Sequence, residues 1–123
     1  MTAPNLGSLL IGTSNLDAMK TWYRQAFQPD ENEMGAFVFG NVQVFVEEHS
    51  QVSGPAENGH RIILNLDVAD CRSLEAHLKG LGVTWEREVE QMPFGLIGTV
   101  ADPDGNLVQI IEWGATPAEG HGG

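Results

Sequence analysis

The order strand, helix, strands occurs twice along this chain, and that duplication restricts the fold more than any other feature. The first pass begins with Leu6 to Gly12 (LGSLLIG), a short apolar stretch bounded by glycine that reads as a buried strand. Ser14 and Asn15 offer an N-cap, Asp17 suits the positive end of a helix, and Leu16, Met19, Tyr23, Ala26 and Phe27 form one apolar stripe. Pro29 and the acidic run Asp30-Glu31-Asn32-Glu33 end the helix and are expected to form a loop. Ala36 to Phe39 and Val42 to Glu47 flank the turn dipeptide Gly40-Asn41 and predict a hairpin. The second pass starts with the strand Arg61 to Val68 and continues with Asp70 as N-cap. The stripe Leu74, His77, Leu78, Leu81 predicts a helix ending near Gly80 and Gly82. Strands follow at Val83 to Val89 and Leu96 to Ala101, with a loop from Gln91 to Gly95 between them. The turn Asp102-Pro103-Asp104-Gly105-Asn106 leads into the last strand, Leu107 to Trp113.

This pattern predicts an α+β domain, mainly antiparallel within each half, with a helix on one face of each half. One domain over 1–116 is expected, with one βαβββ module at about 6–48 and a second at about 60–114. His49 to Gly59 is the expected linker, and residues 117–123 the expected flexible tail.

Charge bears on partners. Among 123 residues, 17 Asp and Glu oppose 6 Lys and Arg, for a formal charge of −11, which repels phosphate backbones and argues against a nucleic-acid partner. The same surface attracts cations, although acidity that serves solubility alone is the commoner cause. No apolar run has the length of a membrane helix. Met1 to Leu10 lacks a basic signal-like region and Cys71 is the lone cysteine, so a cytoplasmic protein is expected.

The duplicated βαβββ order, the helix Asn15-Leu16-Asp17-Ala18-Met19-Lys20-Thr21-Trp22-Tyr23 and the hairpin Asp102-Pro103-Asp104-Gly105-Asn106-Leu107-Val108-Gln109 resemble the vicinal-oxygen-chelate superfamily of glyoxalases, bleomycin-resistance proteins and extradiol dioxygenases. The resemblance covers nearly the whole chain. It implies two concave sheets forming a barrel-like cleft, helices on the convex side, and a homodimer.

The resemblance also implies metal-ligand positions on the first and last strands of each half, at Ser8, Val44, Ile63 and Gln109. Val44 and Ile63 have no donor atom, Ser8 is a poor neutral donor, and one amide oxygen cannot hold a divalent ion. No metal or other cofactor is therefore expected. His49, His60 and Glu47 could form a different site, but no ligand spacing supports one, and His77 and His121 do not repair the set. Cys71 follows an N-cap, where a thiol can be activated, but a small core side chain is the commoner role.

Strand alternation in the family register puts Leu9, Ile11, Ile62, Leu64, Leu66, Val108 and Ile110 on the helix side. It puts Ser8, Leu10, Val44, Val46, Ile63, Asn65, Gln109 and Ile111 on the cleft side, with Phe39, Trp85, Phe94 and Trp113 as aromatics that could stack on a ligand. A second core, or an interface between subunits, would use the same residues. Three functions remain open. One is a metal-free protein sequestering an aromatic or cationic antibiotic, as in the bleomycin-resistance branch. The second is a lyase, isomerase or epimerase with Asp67, or Glu112 on the opposite parity, as acid or base. The third is a regulatory protein whose cleft is filled by its own side chains.

Overall fold

The computed structural model describes residues 3–117, so the expectations for the rest of the tail and for His121 lie outside the described residues. Each half folds as strand, helix and three strands. The first contains β1 (Ser8–Thr13), α1 (Leu16–Phe27), β2 (Asp30–Glu31), β3 (Phe37–Phe39) and β4 (Val42–Glu48). The second contains β5 (Ile63–Asp67), α2 (Cys71–Leu81), β6 (Thr84–Met92), β7 (Gly95–Ala101) and β8 (Leu107–Trp113). The chain divides into two compact units between Pro55 and Ala56. Each holds one open four-stranded sheet, ordered β1-β4-β3-β2 and β5-β8-β7-β6, so the α+β duplication expected from the sequence is present. In each sheet the first strand lies parallel to the last, and the other pairings are antiparallel.

In the first unit, α1 buries Met19, Tyr23 and Ala26. Tyr23 stacks on Phe37 at 6.1 Å between ring centroids, and Phe27 meets Phe39 edge-on at 6.4 Å. These contacts set the helix face of the first sheet. The start of α1 has no side-chain cap from Asn15; its backbone N–H instead donates to the buried Thr13 hydroxyl at 2.9 Å. Asp30–Glu31, expected as loop, forms a short strand on β3, because Arg24 holds Glu31 through two 2.9 Å hydrogen bonds from the helix. That fork, with the neighbouring charge, raises the Arg24 pKa and lowers that of Glu31.

In the second unit, Asp70 caps α2 by accepting from the Ser73 N–H and hydroxyl at 3.0 and 2.8 Å, and the backbone bond chiefly lowers its pKa. Glu112 of β8 accepts from the Cys71 N–H at 2.8 Å, so the last strand also satisfies the start of this helix. Cys71 and Leu78 are the buried residues of α2. Strand β6 runs three residues past its expected end at Val89, and Pro93-Phe94 make a tight turn where a longer loop was expected. Gly98 has no room for a side chain, since a β-carbon there would come within 2.8 Å of Val89 and 3.2 Å of the Trp85 ring. In the turn to β8, Gly105 adopts φ +83, while Asp102 Oδ1 accepts from the N–H groups of Asp104 and Asn106, each at 2.9 Å.

Candidate functional site

Side chains opposite each other in a sheet share a face, so strand pairing assigns every position. In the first unit Leu9 lies beside Val44, Ile11 beside Val46, and Phe37 beside Val44. Val44 and Val46 are therefore on the helix face, at 3% and 2% exposure, not with Ser8 and Leu10 as expected. Phe39 shares that face and packs on Phe27. The face turned away from α1, called here the far face, carries Ser8 beside Gln43, Leu10 beside Phe45, and Gly12 beside Glu47.

The error has a local cause. Two residues join β3 to β4, whereas residues 102–106 join β7 to β8. Counting from the turn glycine therefore does not transfer between the hairpins, and a one-residue slip exchanges the faces. The position in β4 matching Gln109 of β8 is Phe45: it lies beside Leu10 as Gln109 lies beside Asn65.

In the second unit Leu64, Leu66, Val108 and Ile110 lie on the helix face as expected, whereas Ile62 precedes the strand and is exposed. Trp85 lies beside Val100, which lies beside Val108. Its ring therefore covers Gly98 on the helix face and is not available to a ligand on the far face.

The far face of this second sheet is organised in rows. One row is Asn65, Gln109, Thr99 and Arg87, crossing all four strands. The next is Asp67, Ile111, Ile97 and Glu90, and beyond it lie Trp113, Gly95 and Met92. On the other side of the polar row, Ile63 is paired with Leu107. Ile97, Thr99, Leu107 and Ile111 are buried, Gln109 and Ile63 are half-buried, and Asn65 is exposed. Gln109 Nε2 donates to the Thr99 hydroxyl at 3.3 Å. That bond leaves Gln109 Oε1 as an acceptor and the Asn65 amide without a side-chain partner among the described residues. Arg87 at the edge is held by Glu90. Where β8 ends, Trp113 donates its indole N–H to Asp67 Oδ1 at 2.8 Å and meets Phe94 at 5.3 Å between centroids.

The structure thus brings Ile63, Asn65, Gln109, Ile111, Trp113 and Phe94 to one side of the second unit. Ser8 and Leu10 lie on the far face of the first. Sequence reasoning missed Gln43, Phe45, Thr99, Ile97 and Arg87. The signal that could have found Gln43 and Phe45 was the difference in hairpin length.

The donor set does not fit a resident divalent metal. Around the implied ligand positions the far face of the first unit offers Ser8 and Gln43 and that of the second Asn65, Thr99 and Gln109, in each unit only neutral hydroxyl or amide donors, with Phe45 and Ile63 contributing none. Among the described residues no three His, Cys, Asp or Glu side chains are grouped for a metal. Of the acid–base candidates, Asp67 lies on the far face of the second sheet, where its Oδ1 accepts from the Trp113 indole. Glu112 is engaged at the start of α2, and burial, then the Glu112 charge, pushes the Cys71 thiol up to about 11. His49 has its Nδ1 occupied by the Gln51 N–H at 3.2 Å, and His60 pairs with Glu86 at 2.9 Å on the exposed surface.

Comparison with known proteins agrees with this architecture. The family model described as the Glyoxalase/Bleomycin resistance protein/Dioxygenase superfamily matches residues 5–110. A search of curated proteins found no match. Among solved structures, a glyoxalase/bleomycin resistance protein/dioxygenase family enzyme from Burkholderia phytofirmans PsJN superposes with a TM-score of 0.71 at 20% identity, over 89% of this chain and 99% of that one. TnmS3, an antibiotic binding protein from Streptomyces sp. CB03234, gives 0.70 at 17% identity, over 92% and 98%. The fosfomycin resistance protein FosX from Listeria monocytogenes gives 0.69 at 14% identity, over 90% and 94%. At these identities the likeness concerns the fold.

Proposed function

This chain belongs to the Glyoxalase/Bleomycin resistance protein/Dioxygenase superfamily, and within it we propose that it holds a small organic ligand, without a metal, on the far face of its second sheet. The observation that carries this reading is the row Asn65–Gln109–Thr99 beside buried Ile97 and Ile111, with Trp113 and Phe94 at its end. Apolar floor gives a ligand affinity, and a few polar groups orient it. The Thr99 bond engages the Gln109 amide N–H and leaves Oε1 to accept, so a ligand donating a hydrogen there gains a bond that a purely apolar molecule forfeits.

Sequestration of an antibiotic-like molecule is the form this binding takes in our reading. It is supported by the ill-fitting metal donors, by the engagement of Glu112 and the raised thiol of Cys71, and by the fold shared with an antibiotic binding protein. The reading includes a homodimer in the cytoplasm, expected in light scattering as the mass of two chains.

The test is a thermal-shift screen of metal-stripped protein against divalent metals and a panel of aromatic and cationic natural products. A ligand binding only the native state at about 100 times its Kd adds about 2.7 kcal/mol, a shift of several degrees for a domain of this size. The reading predicts shifts with organic ligands, lost when Asn65 and Gln109 are both replaced by Ala. Shifts with nickel, zinc, manganese or iron, and none with organic molecules, would favour a metal-dependent enzyme instead.

A further inference from the structure

The end of the far face beyond the amide row has its own chemistry. Trp113, the last residue of β8, is 60% exposed, although an indole this open leaves a large apolar surface in water. Its orientation is fixed by the 2.8 Å bond that its indole N–H donates to Asp67 Oδ1. Phe94, in the turn between β6 and β7, meets it at an interplanar angle of 45°, so the two rings make an open corner and not a closed stack. Asp67 Oδ2 has no hydrogen-bond partner among the described residues. Arg87, on the edge strand β6 of this sheet face, is held by Glu90. At the same end of the sheet Met92, Pro93, Gly114 and Ala115, neighbours in sequence of the two rings, line part of a groove of about 320 Å³.

Ring faces and a carboxylate oxygen share one preference. The negative face of an aromatic ring attracts a cation, and a carboxylate beside it adds a full charge. A net charge of −11 raises the local concentration of any cation approaching.

We propose that Trp113, Phe94 and Asp67 form a subsite for an organic ammonium group, the cation resting against the two rings and facing Oδ2 of Asp67. This deepens the far-face reading, on which it rests, by naming the group that a ligand must present at this end. Asp67 is then a specificity-determining residue that selects by charge, and its bond to the indole is the brace that keeps the corner open.

The experiment uses the full chain, with choline and its neutral tert-butyl analogue as probes, followed through the Trp113 indole N–H resonance in proton–nitrogen NMR. Trp113→Phe assigns that resonance. Choline is expected to shift it and to bind at least about tenfold more tightly than the neutral analogue. Added salt should weaken choline and leave the analogue unchanged. Asp67→Asn keeps a carbonyl acceptor for the indole while removing the charge, and should shrink the difference between the two probes to the part that the rings supply. Equal affinity in the unsubstituted protein, a charge preference undiminished by Asp67→Asn, or no response of the Trp113 resonance to choline would each overturn the subsite. If the subsite fails while organic ligands still bind in a manner dependent on Asn65 and Gln109, the far-face reading stands without it.

Discussion

At one position in the duplicated frame the first unit has Leu10 beside Phe45, and the second has Asn65 beside Gln109. Both rows lie on the face turned from the helix, between the first and last strands. In the first unit the row is apolar and Leu10 is 58% exposed; in the second it is a line of amides continued by Thr99 and Arg87. The helix faces differ less, because each must fill a core. Aromatic stacking around Tyr23 does this in the first unit, and aliphatic side chains such as Val108, Ile110 and Leu78 together with the Trp85 ring over Gly98 do it in the second. A duplicated frame therefore preserves what folding requires on one side of the sheet and leaves the other side free to diverge. Divergence there is where ligand chemistry is expected.

The comparison is most strongly stressed in the cores. Tyr23→Ala removes a fully buried ring at the centre of the first unit's aromatic cluster and is expected to cost about 3–5 kcal/mol in denaturant unfolding. Leu78→Ala in the second unit should cost about 2–5 kcal/mol. The hairpin turns come next. Asp102→Ala withdraws the carboxylate that accepts from Asp104 and Asn106 and should lose about 1.5–3 kcal/mol. Asn41→Ala, in the shorter turn of the first unit, should change stability by less than about 0.5 kcal/mol.

The helix starts give a smaller contrast. Asp70→Ala removes a working cap and should lower the melting temperature, whereas Asn15→Ala, which loses no side-chain cap, should leave it nearly unchanged. Asp70 has a lowered pKa, so its stabilisation is complete above the ordinary Asp value near about 4 and is lost as pH falls through its lower folded value. Below about pH 4 the difference between the protein and Asp70→Ala should shrink; a difference growing on acidification would mean that the cap is not carboxylate-based. The smallest expected effect is chemical. With its thiol fully buried and raised to about 11, Cys71 should resist iodoacetamide at neutral pH in the folded protein and react on unfolding.

Much of this architecture was legible because periodicity reports burial. The stripe from Met19 through Tyr23 to Ala26, the Asp70 cap and the strong turn before Leu107 all follow from local chemistry, and each occurs where that chemistry puts it. What was not legible depended on partners distant in sequence. Asp30–Glu31 reads as an acidic loop until Arg24 holds Glu31 from the helix. Trp85 reads as a possible ligand aromatic until Gly98, on the neighbouring strand, provides the space its ring fills. Val44 and Val46 lie on the face opposite to the one that a count from Gly40 implies, because the connections leading into β4 and β8 differ in length. In the second unit Asn65 and Gln109 lie side by side on one face of the sheet, as the alternation implies.

The most direct measurement is an amide NMR titration of the nitrogen-labelled chain with the strongest organic ligand from the thermal-shift screen. The account predicts that shifts concentrate at residues 63–67, 97–99 and 109–113 and at Phe94, and that Asn65→Ala with Gln109→Ala abolishes them. Saturable shifts confined to the first unit, or unaffected by that double substitution, would contradict it.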